Sequence, residues 1–194
     1  MDKVHISSAE INELPLRAWT GTIKVIDKEI DILPALNEIN KHKVLAFDTE
    51  SKPAFRKGEY NPVALLQVAI PDKVYLFRIS KIGFTSEMSE IFSNEQIAKV
   101  GVAIKDDIKE LQYFNSFEPK KIIDLANFAD DRGIINGGVR GLTALLLGFR
   151  ISKRQQTSNW ENARLTDAQI NYAATDAWVC LKIYKKLMKI SPLP

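Results

Sequence analysis

Carboxylates in short, ordered spacings are the residues of this sequence that could do chemistry. Asp48-Thr49-Glu50 ends the apolar run Val44-Leu45-Ala46-Phe47. Residues i and i+2 of a strand point to the same side, so both carboxylates project together. Like charges held this way repel unless a cation lies between them, and a divalent metal bound through oxygen does this. The chain has a second Asp-x-Glu, Asp27-Lys28-Glu29, which runs straight into a helical pattern. There the pair is more simply charge at a helix start. An isolated Asp-x-Glu is usually surface charge. The core strand in front of Asp48 is what sets it and Glu50 apart.

Two further acids stand out on predicted helices. Asp106 and Asp107 open a helical segment after the apolar run Ile97–Val102. At ~100° per residue, Asp107 falls within the stripe formed by Ile104, Ile108, Leu111 and Phe114, and Asp106 points away. An inward carboxylate needs a partner or a metal; an outward one fits a helix start. Tyr172 and Asp176 are spaced i, i+4 and share a flank roughly 110° from the apolar face of their helix. A phenol beside a metal-bound carboxylate could orient an attacking water, although a plain Tyr–Asp hydrogen bond would also explain the pair. Asp124 reads as a helix cap. His5 and His42 are the only histidines, and neither is given a role.

The surrounding elements alternate in type. Strands are expected at Gly21–Asp27, Lys43–Thr49, 62–70, 73–79, Ile97–Val102 and Lys121–Ile123. Helices are expected over 29–41, 86–94, 105–115, 124–130, 140–148 and 166–188. Ser7-Ser8-Ala9-Glu10 marks a short capped helix ended by Leu14-Pro15, and Thr166-Asp167-Ala168-Gln169 marks a second capping box. Pro71-Asp72 signals a tight turn. A strand meander followed by alternating strand and helix implies an α/β architecture with a mixed sheet.

Bulk properties fit a soluble, intracellular protein. The 194 residues suit one compact domain, placed at 21–190 after a lead-in over 1–20. Hydrophobic residues make up 45% and the net charge is +3. A mildly basic balance permits a polyanionic partner without requiring one. The single cysteine, Cys180, excludes an internal disulfide and a CxxC metal site. No apolar run reaches the ~20 residues of a membrane span, and the start lacks a secretory pattern. A cytoplasmic location is therefore expected.

The order of the pieces is more specific than any one of them. Phe47-Asp48-Thr49-Glu50 precedes Leu65-Leu66-Gln67-Val68-Ala69. Lys99-Val100-Gly101-Val102-Ala103-Ile104 with Asp107 follows, and then Tyr172-Ala173-Ala174-Thr175-Asp176. Gly141-Leu142-Thr143-Ala144-Leu145 and Ser158-Asn159-Trp160 fall between the last two. Over about residues 21–188 the chain resembles the DEDD superfamily of 3′–5′ exonucleases, in the branch with tyrosine in the third motif. The exonuclease domain of the Werner syndrome helicase and ribonuclease D look most alike. The resemblance implies a ribonuclease H-like fold: a mixed central sheet with an antiparallel meander and helices on both faces. It also implies two divalent metal ions, Mg²⁺ or Mn²⁺, held by Asp48, Glu50, Asp107 and Asp176, with Tyr172 positioning the water. The expected reaction releases nucleoside 5′-monophosphates from a 3′ end of DNA or RNA. Asp106 departs from the pattern as an extra negative charge beside the site.

Basic residues near the motifs are candidates for phosphate contact: Lys52, Arg56 and Lys57 after the first, Lys105 at the second, Lys153 and Arg154 before the third. Trp160 and Phe55 could stack on a terminal base, although a tryptophan is more often a core anchor. Two other functions compete with nuclease action. One is a nucleic-acid-binding module that keeps the fold but does not cut, against which the complete set of carboxylates stands. The other is an α/β enzyme for small molecules, and neither a Gly-x-Gly-x-x-Gly nor a Gly-x-Ser-x-Gly motif is present.

Overall fold

The protein is described by a computed structural model covering residues 5–56, 58–135 and 138–192. Ser7 caps α1 (Ser8–Glu13) in a reciprocal capping box with Glu10. The chain then passes Pro15 and enters β1 (Thr22–Ile26). A single 3-10 turn at Glu29–Asp31 takes up the start of the helix expected over 29–41, leaving α2 at Ile32–Ile39.

The antiparallel meander is β2 (Val44–Ser51), β3 (Val63–Ile70) and β4 (Lys73–Phe77). The expected strand over 73–79 is cut short, because the carbonyl of Arg78 bonds to the amides of Lys81 and Ile82. The short helix α3 (Ile79–Ile82) results, and the β-branched Ile79 gave no hint of it. α4 (Ser86–Ser93) follows, capped by Thr85. β5 (Ala98–Gly101), α5 (Lys105–Phe114), β6 (Ile122–Asp124) and α6 (Leu125–Asp130) then alternate. α7 (Val139–Leu147) and α8 (Asp167–Leu187) complete the chain.

Strand order is β1-β4-β3-β2-β5-β6. β5 and β6 extend the sheet in parallel beside β2, and β1 lies parallel to β4 at the other edge. The sheet is therefore mixed, with a meander at its centre. Strand alternation divides the core in two. Leu45, Phe47, Leu66, Val68 and Phe77 pack against α2, α4 and α5. Ala46, Leu65, Ala69, Leu76 and Val100 pack beneath α6, α7 and α8. With helices on both faces, every residue of β3 is buried, which is why it reads as an unbroken apolar run.

α8 differs from its expectation as a helix with one packed face and one cleft face. Ala173, Ala174, Thr175, Asp176 and Ala177 are five consecutive buried residues. The small alanines let the helix lie close to the sheet, and Thr175 Oγ1 accepts the Trp19 amide at 3.0 Å from the far side. The segment before β1 is also docked. Ile6 and Ile11 pack on Ala144, and across the Leu16–Arg150 bridge the Arg17 amide donates to the Arg150 carbonyl while the Arg150 amide donates to the Pro15 carbonyl.

Candidate active site

β2 runs on past the expected end at Thr49, so that Glu50 as well as Asp48 lies within it, on the face that Ala46 turns toward α8. α8 crosses this face and brings Asp176 down onto it. Carboxylate oxygens of Asp48, Glu50 and Asp176 lie within 4.8 Å of one another. Burial raises all three pKa values, and the neighbouring carboxylates raise those of Asp48 and Glu50 further. Asp48 is held well above the usual carboxylate range by desolvation and by the charges of Asp107 and Asp176. Glu50 is pushed up to about 9 by burial and then by Asp48. Asp176 is pushed up to about 7 by burial, against the opposing pull of Tyr172 and Lys153. Asp176 Oδ1 is buried with no hydrogen-bond partner among the described residues. Three crowded acids and an orphaned oxygen form an all-oxygen donor set that fits a hard divalent cation.

Asp107 reaches the site from the other side of the sheet. Gly101, at the end of β5, allows the turn into α5. A Cβ there would stand 2.7 Å from the Phe47 carbonyl oxygen and 2.4 Å from Ile104 Cγ2. Ala103 then adopts φ 59°. The turn is pinned by Asp124, whose two oxygens accept the amides of Ala103 and Ile104, each at 3.2 Å. Asp124 Oδ1 also accepts the Ala126 amide at 2.9 Å, the expected cap of α6. Launched from this turn, α5 turns Asp106 outward, where it pairs with Lys109 at 2.8 Å. Asp107 faces inward, as the helix spacing predicts, and accepts a hydrogen bond from Thr49 Oγ1. Its carboxylate is raised by burial, with Thr49 opposing. It stands outside the cluster of three yet close enough to raise Asp48.

Tyr172 sits one turn before Asp176, and its hydroxyl is near enough to that carboxylate to pull its pKa down. Burial, Asp176 and Glu50 raise the phenol further, so it remains protonated. The Tyr172 ring lies against Trp160, centroids 6.0 Å apart. Trp160 itself has no exposed surface. The expectation that it stacks on a substrate base therefore fails, because its indole belongs to the core and backs Tyr172.

Asp48, Tyr172 and Asp176 line a cavity of about 680 Å³. Of the expected phosphate contacts among the described residues, only Lys153 lines it with them. Arg154 lines a neighbouring pocket on the other flank of Tyr172. Lys105 is exposed at the start of α5, and Lys52 and Arg56 lie on the β2–β3 loop. Lys57 lies outside the described residues. Phe55 is 82% exposed on the same loop. The lining residues that the sequence did not point to include His5, which was given no role, and Arg140. Arg140 carried a signal, since a cation in the first turn of α7 opposes the helix dipole and implies some other reason to be there.

A family model described as 3′–5′ exonuclease matches residues 23–191. The bifunctional 3′–5′ exonuclease/ATP-dependent helicase WRN of Mus musculus is 33% identical over 187 residues, covering 91% of this chain and 13% of that protein. The exonuclease mut-7 homolog of Aedes aegypti is 28% identical over 199 residues, covering 90% of this chain and 27% of that protein. The chain thus spans less than a third of the length of these relatives. The Aedes aegypti Nibbler EXO domain superposes with a TM-score of 0.80 at 25% identity, covering 90% of this chain and 91% of that one. Escherichia coli RNase D gives 0.79 at 22% identity, over 87% and 44% respectively, a likeness of fold. The fold is ribonuclease H-like.

Proposed function

The chain belongs to the 3′–5′ exonuclease family, and from that premise we propose that it hydrolyses phosphodiester bonds of DNA or RNA from the 3′ end, releasing nucleoside 5′-monophosphates. The observation that carries this reading is the convergence of Asp48, Glu50 and Asp176 within 4.8 Å, at a cavity that also holds Tyr172 and Lys153. These three carboxylates and Asp107 are the ligands for two divalent ions, Mg²⁺ or Mn²⁺. When bound, such a pair supplies an activated water and neutralises the leaving oxygen of an in-line displacement.

The chain's own residues do the rest. Asp176 lies one turn beyond Tyr172 on α8, and its charge favours the protonated phenol beside it. That hydroxyl stays protonated and holds the attacking water by a hydrogen bond. Trp160 keeps the ring in place from behind. Lys153 offsets the carboxylate charge and receives a phosphate of the strand. Residues 21–190 form the catalytic unit, with the preceding segment docked against it. No helix among the described residues is long and apolar enough to cross a membrane.

The test is a panel of DNA and RNA strands, single-stranded and recessed, labelled at the 3′ or the 5′ end, with Mg²⁺ or Mn²⁺. The expected result is labelled mononucleotide from 3′-labelled strands and a descending ladder from 5′-labelled ones. Binding of the strand without release of any product would establish the non-cleaving module instead.

A further inference from the structure

Gln67 lies in the middle of β3 with no exposed surface. Neither its amide nitrogen nor its amide oxygen has a hydrogen-bond partner among the described residues. Burying an amide without partners is costly, and such groups are uncommon in folded proteins. Alternation along β3 puts Gln67 on the same face as Leu65 and Ala69, beneath α8. An apolar side chain would fill that place without the cost.

The strand register narrows what the amide is for. Gln67 is the direct antiparallel partner of Asp48 on one side and of Leu76 on the other. Such partners have Cβ atoms ~4.5–5.5 Å apart, within the reach of a glutamine amide toward a carboxylate. On the same face of the flanking strands, Ala46 and Val74 offer no polar side-chain atom, and Glu50 lies one step further along β2. One Asp48 oxygen, Oδ1, already accepts the Thr49 amide at 2.9 Å. We propose that Gln67 is a positioning residue for Asp48: its Nε2–H donates to the Asp48 carboxylate when that group holds a cation, and fixes its direction. Groups that orient metal-bound carboxylates in this way typically govern metal affinity by 10–100-fold. The inference rests on the reading of Asp48 as a metal ligand.

The full chain is unfolded thermally in EDTA and across a Mn²⁺ titration without nucleic acid, for wild type, Gln67→Met and Leu65→Met. Gln67→Met keeps the volume and removes the amide. In EDTA it should melt at or above the wild-type temperature, because an unpartnered amide is gone. Its half-maximal Mn²⁺ concentration should rise tenfold or more, and that of Leu65→Met should not move. Gln67→Leu provides the same comparison if the methionine packs poorly. An unchanged Mn²⁺ midpoint in the Gln67 variants, or an equal shift in Leu65→Met, overturns the proposal and leaves the nuclease reading intact. A wild type whose melting does not respond to Mn²⁺ overturns the metal reading and this proposal with it.

Discussion

At the scale of single residues, two aspartates adjacent in sequence have opposite fates. Asp106 is exposed and paired with Lys109, and Asp107 faces Thr49 and the carboxylates of β2. Asp107→Asn should abolish nucleotide release, and Asp106→Asn should keep most of it; the reverse pattern in a mononucleotide-release assay would overturn the assignment of Asp107. Tyr172→Phe removes the hydroxyl but keeps the ring against Trp160. Turnover should fall by about 10²-fold, with the Mn²⁺-induced rise in melting temperature unchanged. Undiminished turnover would take Tyr172 out of the mechanism. The spacings i, i+2 and i, i+4 made Asp48, Glu50, Tyr172 and Asp176 legible as pairs, because secondary structure alone sets those directions. For Trp160 the choice between base stacking and a core anchor stayed open, since aromatic type does not reveal exposure, and burial decides for the core. Thr49 was invisible as a contact of the site, since its partner Asp107 lies on another element, and so was the place of Gln67 opposite Asp48 in the sheet.

At the scale of elements, the turn from β5 into α5 decides where Asp107 points. Two devices shape it: Gly101, which tolerates the Phe47 carbonyl, and Asp124, which accepts the amides of Ala103 and Ile104. Asp124→Ala removes a helix cap and frees this turn. Urea denaturation should show a loss of about 1–2 kcal/mol. Nucleotide release should drop with it under conditions where the variant is still folded. A variant that is destabilised but fully active would confine Asp124 to capping. The cap was readable from sequence, as Asp124 directly precedes a helical pattern. The grip on Ala103 and Ile104 was not, because it joins residues 20 and 21 positions apart. Likewise α3 escaped notice. Its four residues are too few to show a period.

At the scale of the whole molecule, the crowded acids tie stability to pH and to metal. Asp48, Glu50 and Asp176 all have folded-state pKa values above the ordinary carboxylate range. The metal-free folded chain therefore binds more protons than the unfolded one above pH ~4. The stability these groups contribute is complete below that pH. It drains away as pH rises through about 7 for Asp176 and about 9 for Glu50. Scanning calorimetry in EDTA should show the melting temperature falling between pH 5 and pH 9. Mn²⁺ should restore more of it at high pH than at low pH, as ionised carboxylates bind metal and release their protons. A melting temperature that rises with pH in EDTA would contradict the raised pKa values.

The amino-acid sequence by itself determined the types of the longer elements, the alternation that puts Asp48 and Glu50 on one side of a strand, and the helix face that selects Asp107. These are local properties, governed by periods of 2.0 and 3.6 residues. Only the tertiary structure decided which carboxylates meet. Asp176 is 126 residues beyond Glu50 in the chain, and only the close approach of the alanine-rich α8 to the sheet sets them side by side. The same packing sealed Trp160 in the core, brought Arg140 to the cavity, and buried the unpartnered amide of Gln67 opposite Asp48 in the sheet register. Each of those outcomes depends on distances between elements, which periodicity does not encode.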